Sequence, residues 1–424
     1  MCGRQSFVEF RNQRSKSRRI KQGVPQGGVL SPILFNFYMS KLPTPPDGVQ
    51  IISYADDCSI LATGNSIDDL CGLINSYLCD LSSFFHLRNL KISPTKSSAT
   101  LFTTWTKEVG LELDVTVDGE KIPTVNHPKI LGVTFDSLLM SSAHTTAICN
   151  KMRSRNKVLK SLAGSTWGMD KETLLTTYQT IGRSVVNYAA PVWTPRVSDT
   201  QWKKLQSCQN AALRTVTGCI QMTCEEHLHD ETKMLSVKEH NIMLSKQFLL
   251  GCHRRGHPNH HLTELEPPPR HVRKDLRMYE SDIQEHLDDI EDESSYRTAL
   301  NTIHQQAVED SINSHRDSII LGGRPPPVAN EERNLPRRTR VVLAQLRSGW
   351  CTRLNSYWSR INDTIQDLCP ACGTGPHNVQ HLFNCMANPT QLEPESLWTQ
   401  PLDAARLLGL DLTELDNQSE EEEE

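Results

Sequence analysis

Only 37% of the 424 residues are hydrophobic, and no apolar run is long enough to cross a bilayer. The longest such stretch, around 29–39, is interrupted by Ser31, Pro32 and Asn36. The opening residues, MCGRQSFVEFRNQ, lack the apolar core of a secretory signal. No internal repeat is present. Neither sign of charge dominates: 45 Lys and Arg face 50 Asp and Glu, a net charge of −5. That balance excludes a uniformly basic coat for nucleic acid. The 13 cysteines are odd in number and scattered. Without a secretory leader they read as free or metal-bound thiols in a reducing, intracellular compartment.

The average charge hides a gradient. Residues 1–160 carry 19 Lys and Arg against 13 Asp and Glu, whereas the remainder carries 26 against 37. The first third can therefore face a polyanion while the chain as a whole is acidic. Its length suggests two to four domains.

Local patterns change along the chain. SFVEFRNQRSKSRRIKQG (6–23) reads as a short strand with no earlier element to pair with, followed by a basic arm. Segments 51–63 and 129–136 are β-rich. Between them, Leu70, Leu73, Ile74, Tyr77, Leu78 and Leu81 recur at three- and four-residue steps. That spacing predicts an amphipathic helix over 66–89, opened by Ser66 with acids in its first turn. The fold class of this part is α+β. From about 140 to 262 the pattern is helical. One apolar stripe is Ile148, Met152, Leu159 and Leu162, and a second is Trp202, Leu205, Ala212 and Val216. Lys151, Arg153, Lys157 and Lys160 lie off the first stripe, as on a solvated face. Residues 263–334 read as a polar acidic linker, with eight acids and no Lys or Arg over 280–293. A helical C-terminal module spans 335–412, and 413–424 is an acidic tail expected to be disordered.

Two motifs suggest phosphoryl chemistry. YADD (54–57) lies between β-prone runs, which places Asp56 and Asp57 at a hairpin tip. Adjacent carboxylates there can hold divalent ions, although paired aspartates are also ordinary turn residues. In QGVPQGGVLSPILFNFYM (22–39), Gly23 and Pro25 constrain a turn, and Gln26, Gly27 and Gly28 open an apolar helix. Glycines at a helix start admit a substrate close to the backbone.

Taken together, GVPQGGVLSP followed some thirty residues later by YADD resembles the palm of non-LTR (LINE/jockey-type) retrotransposon reverse transcriptases. NLKISPTKSSATLFT (89–103) resembles the basic motif that follows in that family, and KILGVTFD (129–136) its primer-grip hairpin. Segments 165–193 and 205–218 resemble the thumb and connecting region, and 343–358 the C-terminal end. The resemblance implies a partial palm over 1–136, a helical thumb and connection over 137–262, and RNA-templated addition of deoxynucleotides to a DNA primer. It implies magnesium at Asp56 and Asp57, and Tyr54 supporting the hairpin near the primer. Gln26, Gly27 and Gly28 would lie against the nascent base pair, and Lys96 near the incoming deoxynucleoside triphosphate. The basic arm, with Arg14, Lys16, Arg18, Arg19 and Lys21, would lie beside template phosphate. The family has a further metal-binding aspartate on an earlier strand. Glu9 is the sole carboxylate ahead of the first motif. The chain thus reads as an N-terminally truncated fragment with an incomplete two-metal site. Its alternative is a non-catalytic nucleic-acid-binding relic; a group II intron maturase fits the later segments less well. Nuclear and cytoplasmic ribonucleoprotein locations stay open, as does the oligomeric state.

CPACGTGPHNVQHLFNC (369–385) carries a third kind of chemistry. Cys369, Cys372, His381 and Cys385 have the spacing Cys-x2-Cys-x8-His-x3-Cys, and three thiolates with one imidazole suit a closed structural zinc site. His377 has a retroviral zinc-knuckle spacing, but the cysteine position to match it is Leu382. Two looser groups, Cys219 with Cys224, His227 and His229, and Cys252 with His253, His257, His260 and His261, have no regular ligand spacing. Trp167, Trp193 and Trp350 read as core residues.

Overall fold

The computed structural model describes residues 4–20, 23–164, 167–265, 275–287, 290 and 292–412. Lys21 and the tail at 413–424 lie outside them. The chain divides into two compact units, Met1–Ile130 with Asp136–Leu139, and Leu131–Phe135 with Met140–Glu424.

In the first unit, the segment read as a strand and arm folds back on itself. Gln5–Ser6 pairs antiparallel with Arg18–Arg19, and Glu9–Phe10 with Gln13–Arg14. The strand does have a partner, and it is the arm. Arg11 and Asn12 supply the turn with φ of 49° and 61°, the paired positive values of a two-residue hairpin whose twist matches its strands. A second correction concerns the glycine loop. The helix does not open at Gln26; it spans Ser31–Met39. Gly27 turns with φ +82°, and a side chain on Gly28 would press on Ser31 Oγ at 2.8 Å. Ser31 Oγ donates to the Pro25 carbonyl at 2.5 Å and closes the loop.

The hairpin Val49–Tyr54 and Asp57–Ala62 lays Val49, Ile51, Cys58, Ile60 and Ala62 against the helix Ile67–His86. Ser66 caps that helix by accepting from the Asp69 amide, and Asp68 and Asp69 sit favourably in its first turn. Its inner face buries Tyr77, Leu78, Leu81, Phe84 and Phe85. Asn75 reaches a second short hairpin, Thr116–Val117 with Glu120–Lys121. It donates to the Asp114 carbonyl at 2.8 Å and accepts from the Thr116 amide at 2.9 Å.

The second unit is helical. Ser142–Ser161 and Asp199–Thr217 pack side by side, burying Ile148, Met152 and Leu159 against Trp202, Leu205, Ala212 and Val216. Trp193 is core, whereas Trp167 is 61% exposed, contrary to the expectation for it. The acidic stretch is also not a bare linker. Glu280–Leu287 and Glu293–Ser314 pack on the helix Val237–Cys252 through Tyr279, Ile283, Ala299 and Ile303. The dense acids over 280–293 mask a thin but regular apolar face, which suffices because Val237–Cys252 offers it a partner.

The C-terminal segment forms a core around Leu343, Leu346, Leu354, Phe383, Leu397 and Trp398. It is joined to the preceding helices rather than standing alone. Arg337, at the start of the helix Arg337–Arg347, donates to the carbonyls of Gly164, Thr215 and Val216, two of which end the helix Asp199–Thr217. This places a cation at the negative end of that helix. Arg347 is fully buried between two carboxylates. It donates to Glu231 at 2.5 and 3.1 Å, to Glu332 at 2.5 and 3.1 Å, and to the Leu397 carbonyl at 2.9 Å. Lys171 adds a 2.8 Å bond to Glu231. Burial alone would raise the Glu231 carboxyl, but Arg347 and Lys171 hold it well below the usual carboxylate range. Removing one partner of such a pair strands a buried charge. Arg347→Ala is therefore expected to cost about 3–5 kcal/mol, read as a lower urea midpoint of the helical unit. A midpoint within error of the parent would show that the network contributes nothing.

Candidate functional site

Tyr54 and Asp57 are the last paired residues of the hairpin, and Ala55 and Asp56 form its two-residue tip. Ala55 has φ 53°, a left-handed conformation that strains an L-residue by about 1 kcal/mol or more. The strain is tolerated because pairing on both sides fixes the turn. Asp56 and Asp57 are exposed, and Tyr54 is 66% exposed. Two hard oxygen donors at one tip suit a magnesium ion with water completing its shell. Among the described residues, no third His, Cys, Asp or Glu joins them at ligand distance.

The other expected residues of this region lie in a loop, a short 3-10 helix and the first hairpin. Gln26, Gly27 and Gly28 lie in the turn ahead of Ser31–Met39. Lys96 ends the short 3-10 helix Pro94–Lys96 and is exposed. Arg18 and Arg19 lie on the first hairpin and are exposed; Lys21 lies outside the described residues.

The cysteine cluster is assembled by backbone geometry. Cys369 donates its amide to the Gly375 carbonyl at 2.7 Å, and the Gly373 amide returns to the Cys369 carbonyl at 2.8 Å. This tight knuckle turns Cys372 toward the helix Val379–Asn384. Asn378 caps that helix by accepting from the His381 amide at 2.9 Å, which aims His381 inward. Cys385 follows the last helical turn in extended backbone. The donor atoms of Cys369, Cys372, His381 and Cys385 all lie within 4.8 Å of one another. Cys369 Sγ and Cys385 Sγ are 3.8 Å apart, and Cys372 Sγ and His381 Nε2 3.2 Å. A tetrahedron with zinc–sulfur bonds of about 2.3 Å has edges of about 3.8 Å, so the donor set fits a divalent ion. The Cys372 thiol is lowered to about 5, first by the Thr374 hydroxyl and then by the amides of Thr374 and Gly375. Those bonds favour the thiolate a metal needs.

His377 stands outside this group: its Nδ1 accepts from the Asn355 amide at 3.0 Å. The two looser Cys and His groups are likewise engaged elsewhere. Cys219 and Cys252 are core residues, His227 Nε2 contacts the Ala344 carbonyl, and His260 Nδ1 contacts the Cys252 carbonyl. Sequence reasoning missed Gly375. A Cβ there would fall 2.4 Å from the His381 ring, so only glycine leaves the imidazole its place. The signal was present in Gly-Thr-Gly directly after the CPxC string. Gly375→Ala is expected to weaken metal retention at least about tenfold, since it moves a ligand by more than the tolerance of a fixed coordination shell. A chelator-competition titration measures this, and unchanged retention would refute it.

The helical unit also carries a basic face. Lys151, Arg153, Arg155, Lys157 and Lys160 are exposed along Ser142–Ser161, a helix with no Asp or Glu. Lys203 and Lys204 are exposed on the packed neighbour Asp199–Thr217.

Residues 2–135 match the family profile described as reverse transcriptase (RNA-dependent DNA polymerase). This segment is similar to reverse transcriptases. The similarity extends beyond it. A "Probable RNA-directed DNA polymerase from transposon BS" of Drosophila melanogaster is 26% identical over 250 residues, 56% of this chain and 27% of that protein. The corresponding protein from transposon X-element of the same fly is 27% identical over 239 residues, 55% of this chain and 26% of that protein. The RNA-directed DNA polymerase from mobile element jockey of Drosophila funebris is 26% identical over 223 residues, 51% of this chain and 24% of that protein. The chain thus spans about a quarter of the length of these curated relatives. No solved structure matches it. Among the described residues, no helix is long and apolar enough to cross a membrane.

Proposed function

We propose that the chain is part of an RNA-directed DNA polymerase of a non-LTR retrotransposon, a nucleotidyltransferase that extends a DNA primer on an RNA template. The observation that carries this reading is the exposed Asp56–Asp57 hairpin tip inside a segment similar to reverse transcriptases. In the reaction the primer 3′ oxygen bonds to the α-phosphorus of a deoxynucleoside triphosphate, and pyrophosphate leaves. Magnesium at Asp56 and Asp57, when bound, stabilises charge on the attacking and leaving oxygens. Tyr54 supports the tip beside the primer. Gln26 lies against the nascent base pair with Gly27 and Gly28, which present backbone without side chains, and Lys96 meets the triphosphate. Arg18, Arg19 and Lys21 run beside template phosphate. In this reading residues 1–136 are a partial palm, 137–262 a thumb and connection, and 335–412 a module held by structural zinc at Cys369, Cys372, His381 and Cys385. Primer extension on a primed RNA template by a fusion that supplies the further acidic strand tests it: extension lost on Asp56→Ala with Asp57→Ala supports the reading, and no extension by the fusion overturns it.

A second reading, nucleic-acid binding without catalysis, would rest on the acid-free basic helix face and on the two-carboxylate tip. It predicts binding with little sequence preference that weakens steeply with salt, because each neutralised phosphate releases counterions. Replacing Lys151, Arg153, Lys157 and Lys160 by glutamine is expected to flatten the logarithmic salt slope by about 3. Fluorescence anisotropy over a salt series measures it; an unaltered slope would remove this face from the interface.

A further inference from the structure

The N-terminal hairpin has a surface that the polymerase reading leaves largely unused. It is one ribbon from Arg4 to Ile20, whose outermost bond runs from the Ile20 amide to the Arg4 carbonyl at 2.9 Å. Ser6 pairs with Arg18 and Glu9 with Arg14. Two residues on one strand therefore oppose three on the other, a bulge that coils the ribbon and redirects side chains. Its composition is one-sided. Arg11, Arg14, Lys16, Arg18 and Arg19 are all exposed, Glu9 is the ribbon's sole acid, and none of the five cations forms an ion pair among the described residues. The aromatic residues are also outside. Phe7 is 43% and Phe10 69% exposed. Each carries a guanidinium: Arg14 lies 3.4 Å from the Phe7 ring centroid and Arg11 5.3 Å from that of Phe10.

We infer that this ribbon is a binding platform for single-stranded nucleic acid, with Phe7 and Phe10 stacking on unpaired bases and the arginines holding the phosphates between them. The inference deepens the template contact proposed above and rests on that reading for its class of partner. Charge decides the occupant. A protein surface would bury the two rings but leave five unpaired cations against it, whereas a phosphate chain matches them. Exposed rings serve unpaired bases, which offer a face; bases in a duplex are stacked on each other and do not. Stacking tolerates any base, so the platform should bind without sequence preference.

The test is anisotropy of the full chain with labelled 20-nucleotide single-stranded RNA and with the same sequence as duplex, at low salt. Phe7→Leu with Phe10→Leu keeps apolar area and removes the aromatic faces. It is expected to weaken single-strand binding about tenfold or more while changing duplex binding less than twofold. Arg18→Gln with Arg19→Gln should flatten the single-strand salt slope by about 1.4. Each variant is checked by circular dichroism, and Ser17→Ala serves as a ribbon control expected to bind like the parent. The inference is overturned if the parent does not bind single strands, if the leucine variant binds them as well as the parent, or if duplex binding falls equally. A leucine variant that loses only self-association would show that the rings meet protein, which also overturns it. If a fusion that supplies the further acidic strand of a jockey-type palm never extends a primer while this ribbon-dependent binding holds, the polymerase reading fails and the platform stands.

Discussion

Primer extension by the 424-residue chain, with magnesium or manganese, is expected to stay at background, and Asp56→Ala with Asp57→Ala is expected to change nothing. Two-metal catalysis needs ions held at a fixed separation against the primer hydroxyl and the α-phosphate. Asp56 and Asp57 share one hairpin tip and approach from one side. Among the described residues no third ligand joins them. Magnesium then relies on water for the rest of its shell and is held loosely. Loss of a ligand from a preorganised site costs at least about 10³ in rate, roughly 4 kcal/mol of transition-state stabilisation. Fusing ahead of residue 1 a palm segment from a jockey-type relative that carries the further acidic strand is expected to restore extension. In that fusion the double substitution should abolish it. Extension by the 424-residue chain itself that disappears in the double mutant would refute the prediction and point to another carboxylate, Glu9 first.

Removal of the ion from the cysteine cluster is expected to have the largest effect on stability. The purified chain should hold one zinc per molecule, measured by elemental analysis. Cys372→Ser, or excess chelator, should lower the thermal transition of the helical unit and release the ion. The physical reason is local. The knuckle from Cys369 to Gly375 buries little apolar surface, so its loop entropy is offset chiefly by coordination. The effect should spread. Val379 and Phe383, on the helix that bears His381, belong to the same core as Leu343, Leu346 and Trp398. Arg347 links that core to Glu231. Loss of the metal is therefore expected to reach beyond the knuckle, lowering the melting temperature by about 5 °C or more for a loss of a few kcal/mol. A chain that binds no zinc as purified or on titration, or melts identically after chelation, would reject the centre.

Much of this site was legible because its chemistry is written in local spacing. A two-residue tip between β-prone runs leaves Asp56 and Asp57 few places to go. Cys-x2-Cys forces a knuckle, and His381 needs only one capped helical turn to face it. The ribbon was not legible as such. Alternation and basic composition do not say that a strand will pair with the arm following it, and the Arg11–Asn12 turn carries no glycine to announce a hairpin. The packing of 280–314 was hidden for a different reason. Its apolar residues are too few to mark a core without knowing that the helix Val237–Cys252 stands beside them.

By itself the sequence determined the local features: a segment similar to reverse transcriptases, a paired-carboxylate tip and a Cys3His donor set, all properties of residues close together in the chain. Tertiary structure decided which charges are spent and which are available. Arg337, Arg340 and Arg347 look like a basic cluster in sequence, yet carbonyls, Glu172, Glu231 and Glu332 consume them in the interior. Arg14, Arg18, Lys151 and Lys157 look no different in sequence and stay on the surface. The distinction is one of solvation: an arginine is buried only where folding brings acceptors from distant segments to it, and those acceptors lie up to 173 residues away.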